Sequence, residues 1–411
     1  MRIHDPKLFW LSLYVFINIL AAIIMYNTGK LIGDVTGNNL YSTDALFVAV
    51  SMVVFSYTLI LVVFFKLVRK IKIRTISFGD GEKSVYSKIG FLLIILQILF
   101  MAFNVLNGVN TAGSNNIRVD SIFSFFWVLV PVDALFLIFY GVARNNKYFK
   151  INLCIYLISN LIRGWAGVFL IVAFMEWCHN YRARKIRPKY VFLAILLVML
   201  LYPVINAIKF YIRMRPDNFS FAGFLDVFDN ALDGLGYMDA IYLGVLHIVE
   251  RIQTTSILIM VIQLKDSLYT EYMNGAFTPF WWEGLHGLII DKLIGNEKSI
   301  PLSVAFTEYG IFNWEFDVGN WNTNTAYASW FFIEPYLIPL YLFYTLFICF
   351  LSYALIKKIS SSVFALDLLW LIWLLYLLPP WFGTFVQFIY ALFIFLILKI
   401  IYGQILVKKR V

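Results

Sequence analysis

Charge is scarce in this sequence. Lys, Arg, Asp and Glu together supply 14% of its 411 residues, against about 25% in an ordinary soluble domain. That deficit excludes a water-soluble globular protein. Cysteine is scarcer still, with three residues. Cys154, Cys178 and Cys349 lie in or beside apolar runs, so no disulfide framework is expected. The four histidines and the cysteines show no metal-ligand spacing, and neither a metal nor a cofactor is expected. A phosphate-binding Walker loop and a dinucleotide fingerprint are both missing, which argues against nucleotide-driven transport. No internal repeat occurs. The short alternating segments of an outer-membrane barrel are missing too.

What fills the chain instead is apolar. Hydrophobic residues make up 61% and aromatic residues 19%, and the mean hydropathy is +0.80. The apolar residues fall in long blocks. About 20 such residues in a helix cross the roughly 30 Å hydrocarbon core of a bilayer. Spans are expected at 8–27, 45–65, 89–107, 121–143, 190–211, 335–356, 363–379 and 383–404. The net charge of +9 is the basic trim of alternate loops. It is not a nucleic-acid footprint. By the positive-inside rule both termini and the basic connections around Lys66–Lys88, Arg144–Lys150, Arg182–Lys189 and Lys357–Lys358 face the cytoplasm.

Loop parity makes 151–177 a special case. It has basic flanks on both sides, yet as one helix it would be roughly 40 Å long. A re-entrant hairpin of two short helices reconciles the two, with its tip at Asn160–Gly164. The alternative is one long tilted helix in which Arg163 pairs with a carboxylate such as Asp133. The fold class is thus an all-α polytopic membrane protein. About ten membrane segments are expected, in an N-terminal bundle at 1–211, a large outer loop at 212–334 and C-terminal helices at 335–411. The outer loop holds fifteen of the 24 acidic residues. Its apolar runs at 241–249 and 255–264 read as amphipathic or interfacial helices, with a pair of weak membrane helices as the alternative.

Cations on the outer side run against the charge bias. Lys209, Arg213 and Arg215 follow the span at 190–211, and Arg251 sits beside Glu250. Guanidinium groups grip phosphate oxygens in a bidentate fork, so a lipid phosphate or diphosphate suits them. Headgroup snorkelling explains Lys209 and Arg215 equally, and a local pair with Glu250 or Glu271 would explain Arg251. The stretch 277–334 carries five of the twelve Trp. Trp281, Trp282, Trp321, Asn322 and Tyr327 offer ring faces and amides of the kind that bind sugars. An interfacial aromatic belt is the simpler account of many of them. His286 is a candidate general base or a packed histidine.

Three features together resemble the Wzy-type oligosaccharide repeat-unit polymerases. They are the hydrophobic hairpin with Arg163-Gly164, the outer Arg pair after a mid-chain helix, and one long outer loop before the last three helices. The stretch Ser303-Val-Ala-Phe-Thr-Glu308-Tyr-Gly310 is similar to that family's loop. The resemblance implies a metal-independent, inverting glycosyltransferase of the GT-C type in a bacterial inner membrane, with its active site facing the periplasm. The donor would be a glycan on undecaprenyl diphosphate and the acceptor a repeat unit on the same lipid. Arg163, Arg213 and Arg251 would hold the diphosphate, and His286 or Glu250 would take the proton. Membrane lipids and a chain-length regulator protein would be the further partners. A lipid-linked oligosaccharide flippase, an O-antigen ligase and a membrane O-acyltransferase are the rival functions.

Overall fold

The computed structural model describes residues 5–36, 38–40, 42–111, 121–165, 167–183, 237–294, 300–308 and 323–408, with a few single residues between 193 and 204. Among the described residues it is helical, with two isolated β-bridges and no strand. Six helices are long and apolar enough to cross a membrane: Pro6–Thr28, Thr43–Val68, Gly79–Asn107, Phe123–Ala143, Pro335–Ile359 and Phe382–Leu406. The protein is therefore a membrane-embedded helical one. Apart from those single residues, the helix expected at 190–211 lies outside the described residues.

Local chemistry sets the helix ends. Helix α1 (Pro6–Thr28) starts with Asp5 accepting from the Lys7 backbone N–H at 3.0 Å and Pro6 in its first turn. It stops at Gly29, whose φ of +65° is a left-handed C-cap. Helix α2 (Thr43–Val68) is capped by Ser42 and carries a π-helical turn at Thr58–Phe64. Helix α3 (Glu82–Asn107) ends on Gly108, again left-handed. The expected span at 121–143 is interrupted. It forms α4 (Ile122–Leu129) and α5 (Val132–Ala143), broken at Val130–Pro131, because proline supplies no backbone N–H to continue the ladder.

Helix α6 (Phe149–Ile162) stops at Arg163, Gly164 takes a φ of +74°, and α7 (Gly167–Arg182) follows. Two contacts with α5 fix their directions. At one end of α5, the Tyr140 ring packs against Phe149 and Arg144 grips Glu176. At the other, Asp133 meets Arg163 at 2.6 Å. The start of α6 and the end of α7 therefore lie beside the same end of α5. The two helices double back on one another, and the break falls within the expected tip. The Asp133 pair that belonged to the unbroken-helix alternative is present as well.

Helices α8 (Tyr237–Ile252), α9 (Thr255–Gln263) and α10 (Lys265–Met273) follow. The interfacial reading of 255–264 is corrected. Thr255 to Val261 are all buried, and α9 packs on α1 and α2. A helix apolar on every side belongs inside a bundle. Its own N-cap, Thr254, makes no side-chain cap. Asn18 of α1 supplies one, its Oδ1 accepting from Thr254 N at 2.8 Å, Thr255 N at 3.2 Å and Thr255 Oγ1 at 2.9 Å.

Helices α11 (Leu285–Ile294) and α12 (Leu302–Glu308) follow, and short helical turns at Tyr327–Ser329 and Trp330–Ile333 end the described part of the loop. Three C-terminal helices follow: α13 (Ile338–Ile359), α14 (Val363–Leu377) and α15 (Phe382–Lys408); α14 and α15 pack on α5, and α13 packs on α14 and α15. At 363–379 the outcome is a shorter helix than a full span needs, and Ala365 to Ile372 are buried without a break.

One end of the bundle carries the N-terminus and the basic connections; we call it the basic end. There Asp367, fully buried, receives both Lys7 and Arg182. Glu176 takes Arg144 in a two-bond fork and also the Tyr140 hydroxyl. Glu82 takes Lys399 at 2.7 Å.

Candidate functional site

At the opposite end, the turn from Phe280 to Gly287 folds onto the start of α15. Pro279 sets the turn, and its carbonyl accepts from Trp282 N at 2.9 Å. Two glycines make the turn possible. A Cβ at Gly287 would lie 1.9 Å from the Trp282 carbonyl oxygen. Gly284 has φ +124°, and a Cβ there would press on Val386 at 3.0 Å. Side-chain-free backbone at both positions brings Glu283 against α15.

Glu283 accepts from the backbone N–H of Gly383 and lies within electrostatic reach of Tyr341 and Tyr344. Although the residue is only half-buried, its carboxyl is enclosed. Burial pushes its pKa up to about 8, against the pull of the Gly383 N–H. A carboxyl poised near neutral pH can either give or take a proton. Behind it is an aromatic floor: the Phe280 ring stands 4.7 Å from Tyr341 and 5.3 Å from Trp330.

His286 is exposed, and its Nε2 lies 2.6 Å from the Trp281 carbonyl oxygen. A carbonyl only accepts, so Nε2 carries the proton and Nδ1 is the basic nitrogen. Trp281 and Trp282 are half-buried beside it, and the Trp282 indole donates to Asp291 at 3.0 Å. Glu283, His286, Trp281 and Trp282 thus share one turn.

The other expected residues are dispersed. Arg163 is 3% exposed. Its guanidinium donates to Asp133 at 2.6 Å, to Asn160 Oδ1 at 2.9 Å and to the Ser159 carbonyl at 3.2 Å, between the rings of Phe100 and Trp165. Protein acceptors thus already occupy its fork. Asp133 is within electrostatic reach of Tyr376 near the end of α14, whereas Glu283 meets Gly383 at the start of α15. Glu250 belongs to a different cluster. A Cβ at Gly33 would sit 3.2 Å from its carbonyl oxygen, and Gln253 donates to that carbonyl. Asp34, next to Gly33, accepts from Thr323 at 2.6 Å. Tyr327 is a core residue, 3% exposed, its ring 5.1 Å from Tyr341. Such a buried ring offers no face to a sugar. The side chain of Arg251 and all of Lys209, Arg213, Arg215, Trp321 and Asn322 lie outside the described residues.

Sequence reasoning missed Glu283. The signal was a carboxylate set between paired tryptophans and a glycine, a place where a carboxyl is drawn into an aromatic wall.

The fold defines a membrane-embedded helical protein, and comparison adds no family to it. The chain matches no protein-family model. Searches of curated proteins and of solved structures find no match either.

Proposed function

We propose that the chain is a repeat-unit polymerase, a membrane glycosyltransferase that joins lipid-linked oligosaccharides. The observation that carries the reading is Glu283: an enclosed carboxyl with a pKa of about 8, in a Trp-flanked turn at the end away from the basic loops. The positive-inside rule puts that end in the periplasm. Helices α6 and α7, with 14 and 16 residues, are roughly 21 and 24 Å long. Each falls short of the bilayer core, as a re-entrant pair would.

In this reading an acceptor hydroxyl attacks the anomeric carbon of the donor. The C–O bond to undecaprenyl diphosphate breaks, and its electron pair leaves on the diphosphate. The hydroxyl proton passes to ionised Glu283, with His286 Nδ1 as the second candidate. Trp281 and Trp282 offer ring faces to the sugar. Arg213 and Arg251 meet the diphosphate, where preorganised donors stabilise the growing charge, with Lys209 and Arg215 at the headgroups. The engagement of Arg163 with Asp133 gives it the task of holding the hairpin tip against α5.

The test is polymer length in a strain in which this chain is the sole polymerase. Glu283→Gln, at normal membrane abundance, should lower polymer by on the order of 100-fold or more and leave single repeat units on the lipid core. Full-length polymer from Glu283→Gln and also from His286→Ala would overturn the site. Loss of single units outside the cell would point to a flippase instead.

A further inference from the structure

The basic end contains an open cavity of about 540 Å³, within the range of small-ligand sites. Its wall draws on four elements that are distant in sequence: the first turns of α3, the end of α5 with the turn after it, α7, and the start of α14. Lys83, Arg144, Lys147 and His179 all line it.

The bookkeeping of charge around it is one-sided. Arg144 is neutralised by Glu176, and His179 lies within electrostatic reach of the same carboxylate. Glu82, one residue before Lys83, is taken up by Lys399. Lys83 and Lys147 are exposed and have no carboxylate partner among the described residues. The Lys147 ammonium stands 4.8 Å from the centre of the Tyr148 ring. The two cations thus face a cavity whose nearby carboxylates are already committed. Val142 and Phe364 give part of the wall an apolar lining, while Ser362 and Asn145 add hydrogen-bonding groups. The first turn of α14, a helix N-terminus that favours negative charge, opens on the same space.

We propose that this cavity binds a phosphate group, with Lys83 and Lys147 as its charge partners and the phosphate of an anionic membrane lipid as its ligand class. Basic pockets between membrane helices at the cytoplasmic side suit such headgroups, and the Val142–Phe364 wall suits the glycerol and upper acyl carbons. The proposal concerns the end opposite Glu283 and stands apart from the glycosyl-transfer reading.

The experiment uses the full chain in a neutral detergent and follows thermal unfolding. Ligand that binds only the folded state raises the midpoint. Short-chain phosphatidylglycerol should raise it, and short-chain phosphatidylcholine should not. The Lys83→Gln/Lys147→Gln double variant should fold with an unchanged midpoint in detergent alone, since both side chains are exposed, and should lose at least half of the phosphatidylglycerol shift. Inorganic phosphate giving the full shift would keep the phosphate site and make its ligand soluble. Overturning results are no shift with either phosphatidylglycerol or phosphate, an equal shift with phosphatidylcholine, or an undiminished shift in the double variant. If the double variant unfolds, Lys83→Arg/Lys147→Arg decides: it keeps both charges and should keep the shift, and its loss would overturn the proposal.

Discussion

At the basic end three carboxylates, Asp367, Glu176 and Glu82, each hold one or two cations from another helix. At the opposite end the helices are closed by rings. Phe280 meets Tyr341 and Trp330 there, and midway along α1 Asn18 caps α9. The difference follows from where charge is tolerated. Cations near a membrane surface reach water and phosphate, and paired carboxylates fix their positions. At the ring-lined end the enclosed carboxyl of Glu283 has no cation beside it among the described residues, so burial governs it and raises its pKa. The same helix bundle thus has one end where these three carboxylates are paired and one where Glu283 is held by burial.

Between the two ends sits the Asp133–Arg163 pair, and its loss is expected to be the largest effect. Asp133→Ala would strand a guanidinium whose side chain is 4% exposed. Breaking such a pair costs about 3–5 kcal/mol. Arg163→Ala should cost less, because the Asp133 side chain is 28% exposed and can find water. Thermal unfolding of the purified variants checks the order. Equal effects would mean that the pair is not what holds the tip of the α6–α7 turn.

Next comes the amide cap. Asn18→Leu keeps an apolar surface on α1 but removes the acceptor for two buried backbone N–H groups of α9. A lost cap with orphaned donors costs about 2 kcal/mol. A midpoint like that of wild type would show that α9 is held by its apolar faces alone.

Glu283 gives the third prediction, on pH. Its folded pKa, about 8, stands above the ordinary value of 4.5. The native state therefore binds the extra proton, and stability falls as pH rises from about 4.5 to about 8, then levels off. Glu283→Gln should remove that slope and make the chain the more stable of the two at pH 9. Unfolding midpoints at pH 5 and pH 9 read it directly. A slope that survives in Glu283→Gln would place the titration elsewhere.

Much of the bundle was legible because long apolar blocks have few other uses. The runs behind α1, α2, α3, α13 and α15 read correctly to within a few residues, save the start of α3. Pro131 was visible in the sequence, yet the hydropathy around it hid the break. Helix α9 was misread because short apolar runs look alike whether they lie at an interface or in a core. Its sequence, Thr-Ser-Ile-Leu-Ile-Met-Val-Ile-Gln, has no polar face, which was the sign of burial. The site was less legible. His286 and the two tryptophans could be named as residue types with suitable chemistry. Glu283 stood in the same motif, but its significance depends on a contact with Gly383, a hundred residues away. Arg163 was conspicuous as a charge in an apolar run, and only the fold decides whether Asp133 or a ligand answers it.

The smallest effect is expected at the basic end, and it sharpens the contrast most. Arg144→Lys keeps the charge but loses the fork that gives Glu176 its two bonds, at 3.0 and 2.6 Å. Both side chains of this pair are partly open, 26% and 30% exposed, so water and counter-ions offset much of the loss. Glu176 also keeps the Tyr140 hydroxyl at 2.6 Å. A partly exposed pair is worth about 1 kcal/mol or less, and the Lys ammonium can still make one bond. The unfolding midpoint of Arg144→Lys should therefore move far less than that of Asp133→Ala, and adding salt should narrow its gap to wild type because surface charges are screened. A loss as large as that of Asp133→Ala, insensitive to salt, would mean that the basic end is as dry as the centre of the bundle.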